Sequence, residues 1–132
     1  RSSRTNDGGI KELEDLLTHL NYELRIIDIP DGALHLTSIS STPTDEIILA
    51  PEGMLPEDAF GELPEGSQVC WMPIEETYGC NTIGLPDNKV LVAEGYPTVL
   101  DKLIEVGLEP IILDVSQFRA GDGSLTCCSL FY

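Results

Sequence analysis

Short apolar runs, cut off again and again by turn-forming residues, constrain this chain more than any other feature. Pro30-Asp31-Gly32, Pro86-Asp87-Asn88 and Gly121-Asp122-Gly123 each end a run, and each is turn chemistry. Strands are predicted over 23–29, 34–39, 45–50, 69–74 (broken at Pro73), 80–85, 90–93, 110–115 and 124–131. Only two stretches carry helical period. In 7–20, Ile10, Leu13, Leu16, Leu17 and Leu20 share one face, with Asn6 or Asp7 as N-cap. In 98–106, Val99, Leu100, Leu103 and Ile104 turn inward, and Gly107 stands where a left-handed cap would close the helix. The Pro- and Glu-rich stretch 51–66 holds at most a short helix at 57–60, and 116–118 opens a turn of helix. The resulting pattern is a repeated strand–strand–helix–strand unit in a mixed α/β chain, residues 1–132 forming one domain.

Charge narrows the function. The chain has 132 residues, with 23 acidic against 7 basic side chains and a formal net charge of −16. That balance excludes a nucleic-acid footprint and disfavours an anionic membrane surface. No apolar run is long enough to span a bilayer. A small cationic substrate suits such a field. With 42% hydrophobic residues the chain is not an acidic disordered tail. The four cysteines, Cys70, Cys80, Cys127 and Cys128, include no CxxC pair and no disulfide framework. They read as thiols in a reducing cytoplasm. No zinc-finger spacing is present, and no metal or cofactor is expected. The Gly121–Gly123 loop lacks the helix and lysine of a phosphate cradle.

Few residues can carry chemistry. His19, at the polar end of the first helix, reads as a solvated residue. His35 sits in Leu34-His35-Leu36-Thr37-Ser38, on the strand face opposite Leu34 and Leu36. Cys127 follows the Gly-Asp-Gly loop, where a substrate could approach closely. A single cysteine and a distant histidine fit the general template of a nucleophilic cysteine enzyme. On residue types alone, a histidine so placed is more often a hydrogen-bonded core residue than a catalyst, and for Cys127 a small buried thiol is as open as a reactive one. Cys70 and Cys80 read as small buried hydrophobes.

Three separated segments add specificity. Asp122-Gly123-Ser124-Leu125-Thr126-Cys127-Cys128-Ser129-Leu130 resembles the C-terminal nucleophile motif of dimethylarginine dimethylaminohydrolase. Leu34-His35-Leu36-Thr37-Ser38 resembles that family's catalytic histidine segment, and Ser2-Ser3-Arg4-Thr5-Asn6 its Ser-x-Arg-Thr-Asn segment. They occur in the family's order, and the resemblance spans this whole chain but only the C-terminal half of the family. It implies part of a five-bladed α/β propeller, two to three ββαβ modules, in the guanidino-group-modifying superfamily with arginine deiminases and amidinotransferases. It implies Cys127 as nucleophile and His35 as general acid/base. Arg4 would hold the substrate α-carboxylate, the Gly121 carbonyl its α-amino group, and Asp122 its guanidinium. Methylated arginine or arginine would give citrulline and an amine. The family's other guanidinium-binding acids and its lid lie in the N-terminal half. This chain alone is therefore expected to be inactive or nearly so, completed by that half or by a partner chain. A homodimer is also open. The alternatives are an arginine-binding regulatory module of the same fold, an arginine deiminase-like enzyme releasing ammonia, and an acidic structural domain with His35 and Cys127 far apart.

Overall fold

The computed structural model describes residues 1, 2 and 4–130. Ser3, in the expected carboxylate-binding segment, and Phe131, at the end of the expected last strand, lie outside the described residues.

The two apolar helical stretches and the strongest strand signals form as the periodicity requires. Helix α1 is Asp7–His19, with the Asn6 side chain accepting from the Gly9 N–H at 2.8 Å. A short helix α2 covers Leu36–Ile39. Strands β1 (Ser41–Thr44), β2 (Ile47–Pro51) and β3 (Gln68–Met72) make one sheet in that order. A 3-10 segment, Ile74–Cys80, leads to β4 (Ile83–Gly84) and β5 (Lys89–Ala93). Helix α3 (Pro97–Glu105) then crosses to β6 (Glu109–Leu113), and β4, β5 and β6 make the second sheet. Helix α4 is Ser116–Ala120, and a 3-10 turn, Thr126–Cys128, follows.

The two sheets repeat one plan. In each, the first strand pairs antiparallel with the second, and the second pairs parallel with the third. Leu49 faces Cys70 in one register, and Leu91 faces Ile111 in the other. A parallel pair needs a crossover. In the second unit α3 supplies it, and in the first residues 52–67 do so through turns without a helix. The expected 57–60 helix is replaced by the bonds Ala59 N–H to Pro56 O and Gly61 N–H to Asp58 O. The described residues thus contain two strand–strand–crossover–strand modules.

The larger core lies between α3 and the strands, around Leu49, Val90, Val92, Val99 and Leu103, all virtually inaccessible. Each such side chain contributes about 1.5–3 kcal/mol by burial. Cys80 belongs to this core, and burial pushes its thiol up to about 12. Cys70 is buried as well, so both behave as small hydrophobes. The Glu76 carboxylate closes the N-terminus of α3 by accepting from the Thr98 N–H at 3.1 Å and the Val99 N–H at 2.9 Å. Burial raises its pKa, and these hydrogen bonds outweigh that and hold it below the usual glutamate value.

Four sequence expectations are corrected. Residues 34–39 do not form a strand. Leu36 and Ile39, three apart, both pack on the cluster of Ala50, Leu55 and Ala59, which favours a helical turn. Residues 124–130 are no strand either, because the 3-10 turn at Thr126–Cys128 interrupts them. Of 80–85, only Ile83–Gly84 is a strand. Residues 23–29 stay irregular. Among the described residues their strand-like pairing is confined to Arg1, whose N-terminal amine donates to Ile27 O and whose carbonyl accepts from the Ile29 N–H at 3.0 Å. Those two bonds are too few to make a strand. Helix α1 forms, but buries no side chain; Leu16 and Leu20 are each 58% exposed. Among the described residues no helix is long and apolar enough to cross a membrane.

The modules meet along β1 and β4. The Ser41 hydroxyl donates to Cys80 O at 2.6 Å and lies 2.6 Å from the Thr82 hydroxyl, while the Thr82 N–H donates back to it at 3.1 Å. Residue 81 is therefore gripped from both sides.

Candidate active site

The C-terminal loop is built on a helix end. Helix α4 stops in a left-handed cap: the Gly123 N–H donates to Phe118 O at 2.8 Å and the Asp122 N–H to Arg119 O at 3.0 Å. This two-bond pattern normally places glycine in the left-handed position. Here Asp122 occupies it, with φ 59. Gly121, the C-cap, has an ordinary φ of −100. Asn21, Asp87 and Asn88 adopt the same conformation, which aspartate and asparagine tolerate better than other side chains. Asp122→Gly is expected to stabilise the protein by about 0.5 kcal/mol, raising Tm by roughly 2 °C, although it removes a carboxylate from the cleft. A lowered Tm on thermal melting would refute this.

The loop is braced from behind. The Tyr78 hydroxyl donates to Gly123 O at 2.7 Å. The Arg119 guanidinium lies 4.9 Å from the Tyr78 ring centre and 5.9 Å from that of Tyr96, and donates to the Tyr96 hydroxyl. Beyond Gly123, Ser124 is buried and its hydroxyl sits 3.2 Å from Cys127 Sγ. Cys127 itself is exposed, in the middle of the 3-10 turn. The Ser124 hydroxyl first, then the Ser124 and Cys127 backbone N–H groups, hold its thiol below the usual cysteine value, against a small opposing desolvation. Such a thiol carries more thiolate near neutrality than a free one. Cys128 is also exposed.

His35 is the N-cap residue of α2, extended at φ −144 and ψ 159, and exposed. It does not lie on a strand. A cleft of about 380 Å³ lies between the two segments: Leu34 and Ser38 line one wall, and Tyr78, Arg119, Asp122 and Ser124 the other, while His35, Gly121 and Cys127 themselves do not line it. Of the expected site residues, Asp122 lines this cleft directly. Arg4 lies on an exposed turn ahead of α1, its N–H donating to the Ser2 hydroxyl at 3.2 Å, and is not part of the cleft wall.

Sequence reasoning passed over Asn81, which is 1% exposed. Its side-chain N–H₂ donates to Thr37 O, two residues beyond His35, and to the Thr126 hydroxyl at 2.8 Å; its carbonyl accepts from the Thr126 N–H at 3.2 Å. One amide thus joins the histidine segment to the residue before Cys127. A polar residue inside the predicted strand 80–85 was the available signal.

Comparison with known proteins places the fold. No family model matches the sequence. A solved dimethylarginine dimethylaminohydrolase from Pseudomonas aeruginosa, a cysteine-to-serine mutant complexed with citrulline, superposes on all of this chain and 49% of its own, with a TM-score of 0.76 and 26% identity. An amidinotransferase from Microseira wollei superposes on 96% of this chain and 41% of its own, with a TM-score of 0.81 and 21% identity, which shows shared fold. The chain therefore has the mixed α/β fold of the dimethylarginine dimethylaminohydrolases and amidinotransferases, as a partial, propeller-like portion. Within that class, two of its sequence relatives are dimethylarginine dimethylaminohydrolases. That of Streptomyces coelicolor is 26% identical over 98% of this chain, and that of Pseudomonas aeruginosa 28% identical over 98%. An uncharacterised protein of Aeropyrum pernix is 29% identical over 98%. The chain spans about half the length of the curated relatives it matches, 46–48%, as the expected C-terminal half would.

Proposed function

We propose that this chain carries the nucleophile-bearing part of a hydrolase acting on the guanidinium group of methylated arginine, giving citrulline and an amine. The observation that supports this most is the state of Cys127: an exposed thiol whose pKa is lowered by the Ser124 hydroxyl, within the segment 122–130 that resembles a nucleophile motif. A guanidinium carbon is a poor electrophile and calls for a strong, soft nucleophile, which a thiolate provides. The thiolate adds to that carbon. His35, as imidazolium, gives its proton to the departing amine, and the adduct collapses to an S-alkylthiouronium. The neutral His35 then takes a proton from water, which adds to the same carbon, and collapse returns the thiolate and releases citrulline.

Asp122 would meet the guanidinium from the cleft wall, the Gly121 carbonyl the α-amino group, and Arg4 the α-carboxylate with a bidentate fork. Arg4 reaches the substrate only once the site is completed by residues beyond this chain, from the remaining half of the protein or a partner. The chain alone is accordingly proposed to be nearly inactive. Its four free thiols suit a reducing cytoplasm.

The test is citrulline formation from dimethylarginine, monomethylarginine and arginine, by the full natural protein and by the 132-residue chain. Citrulline from the full protein, with a preference for the methylated substrates, is the expected result. Folded full-length protein that makes none from any of the three overturns the reading. Comparable rates from the short chain overturn the claim that it is incomplete.

A further inference from the structure

We propose that Asn81 is a positioning residue for Cys127: its amide ties the turn carrying Cys127 to the segment carrying His35 and sets the direction in which two hydroxyls donate toward the sulfur. The proposal rests on Cys127 being the nucleophile.

The amide has one workable orientation. Thr37 O can only accept, and the Thr126 N–H can only donate, so the N–H₂ group faces Thr37 and the carbonyl faces Thr126 N. The second N–H then donates to the Thr126 hydroxyl oxygen at 2.8 Å. That leaves the Thr126 hydroxyl proton free for the Ser124 oxygen, 3.4 Å away. The Ser124 proton is in turn free for Cys127 Sγ, at 3.2 Å. A chain of donors therefore starts at a buried amide and ends at the sulfur, each bond polarising the next. It stabilises the thiolate over the thiol. Asn81 is itself fixed, because Ser41 bonds the residues on either side of it, Cys80 and Thr82.

The titratable and charged groups around this loop are Tyr78 and Glu75 from the 3-10 segment, Arg119 from α4, and Asp122 and Cys128 on the loop itself, with His35 at the head of α2 outside the cleft wall. All of them stay in the variants below. Asn81→Asp replaces the donor by an acceptor of the same shape and adds a charge. Thr126→Val removes the relay hydroxyl without adding a charge, and Thr126→Ser restores it.

The experiment is iodoacetamide alkylation across pH on the full natural protein, with Cys127 located by mass spectrometry, beside thermal melting and steady-state kinetics. Asn81→Asp and Thr126→Val are expected to move the Cys127 alkylation midpoint up by about one pH unit and to slow alkylation about tenfold near pH 7. Both should lower kcat with little change in KM, and Thr126→Ser should recover most of the loss. A residue that served the fold alone would lower Tm without moving the alkylation midpoint. Unchanged midpoints in both variants overturn the proposal. If Asn81→Asp does not fold, Thr126→Val decides. If the midpoints move but the unaltered protein forms no citrulline, the positioning role stands and the assigned reaction falls.

Discussion

Replacing Cys127 by serine is expected to lower citrulline formation by the full protein by about 10⁴-fold or more, with Tm unchanged within a degree or two. The loss is large because the proposed reaction passes through a bond to this sulfur, and effects of that size follow removal of a covalent nucleophile. Serine is almost the same shape, so binding is preserved, but its hydroxyl stays protonated where the thiol is partly ionised. The Ser124 hydroxyl, 3.2 Å from the sulfur, favours a thiolate and cannot make an alkoxide of the replacement. Stability is spared because Cys127 is exposed, and substitutions at such sites have small effects. Citrulline assays and thermal melting on the same preparation check both halves. More than one hundredth of the original rate in Cys127→Ser would sink the nucleophile assignment.

The second large effect is structural. A Cβ at Gly84 would stand 2.1 Å from Pro43 O and 2.9 Å from the Pro43 carbonyl carbon, so backbone meets backbone where the two modules join. No side-chain rotation can relieve that contact. Gly84→Ala must push β4 away from β1, and overpacking of this kind costs about 3 kcal/mol. For a chain of this size Tm should fall by roughly 10 °C. Gly66 is a control: it has φ 88 and a methyl added there would meet nothing within 4 Å, so alanine costs only the left-handed backbone strain, about 1 kcal/mol. Thermal melting of the two variants should therefore separate them by several degrees. Equal Tm values would mean that the modules are not held at this contact.

Much of the fold was legible because its signals are local. Strands β2, β3, β5 and β6 and helices α1 and α3 follow their apolar periods, and Gly107, at φ 86, closes the turn after α3 as read. Strand β1 was missed because Ser41-Thr42-Pro43-Thr44 has no apolar alternation. Its place is fixed instead by pairing with β2 and by the Ser41 bonds to Cys80 and Thr82. The segment at 34–39 was misread because Leu34 and Leu36 alternate well enough over six residues; burial of Leu36 and Ile39 on one cluster decides for a helical turn. The 23–29 reading failed for want of a pairing partner beyond Arg1 among the described residues.

The site divides in the same way. Cys127, His35 and Asp122 could be singled out by residue type together with family resemblance. Ser124 lay inside the same motif but drew no attention, because only the folded turn brings its hydroxyl to the sulfur. Asn81 stood out only as a polar residue in a predicted strand, and its partners, 44 and 45 positions away along the chain, could not be read. No spacing rule connects residues so far apart.

Helix α1, which buries none of its side chains, has a consequence for how tightly substrate is held. Its hydrogen bonds face water and its opening is opposed by little buried surface, so it belongs to the least protected part of the molecule. Arg4 stands on the turn just ahead of it. The sulfur, by contrast, is anchored through a buried amide to two other segments. A ligand bridging both meets one stiff wall and one soft wall. If Arg4 takes the proposed role, gripping the carboxylate immobilises the soft wall, and that loss of freedom subtracts from affinity while leaving the geometry at the sulfur untouched.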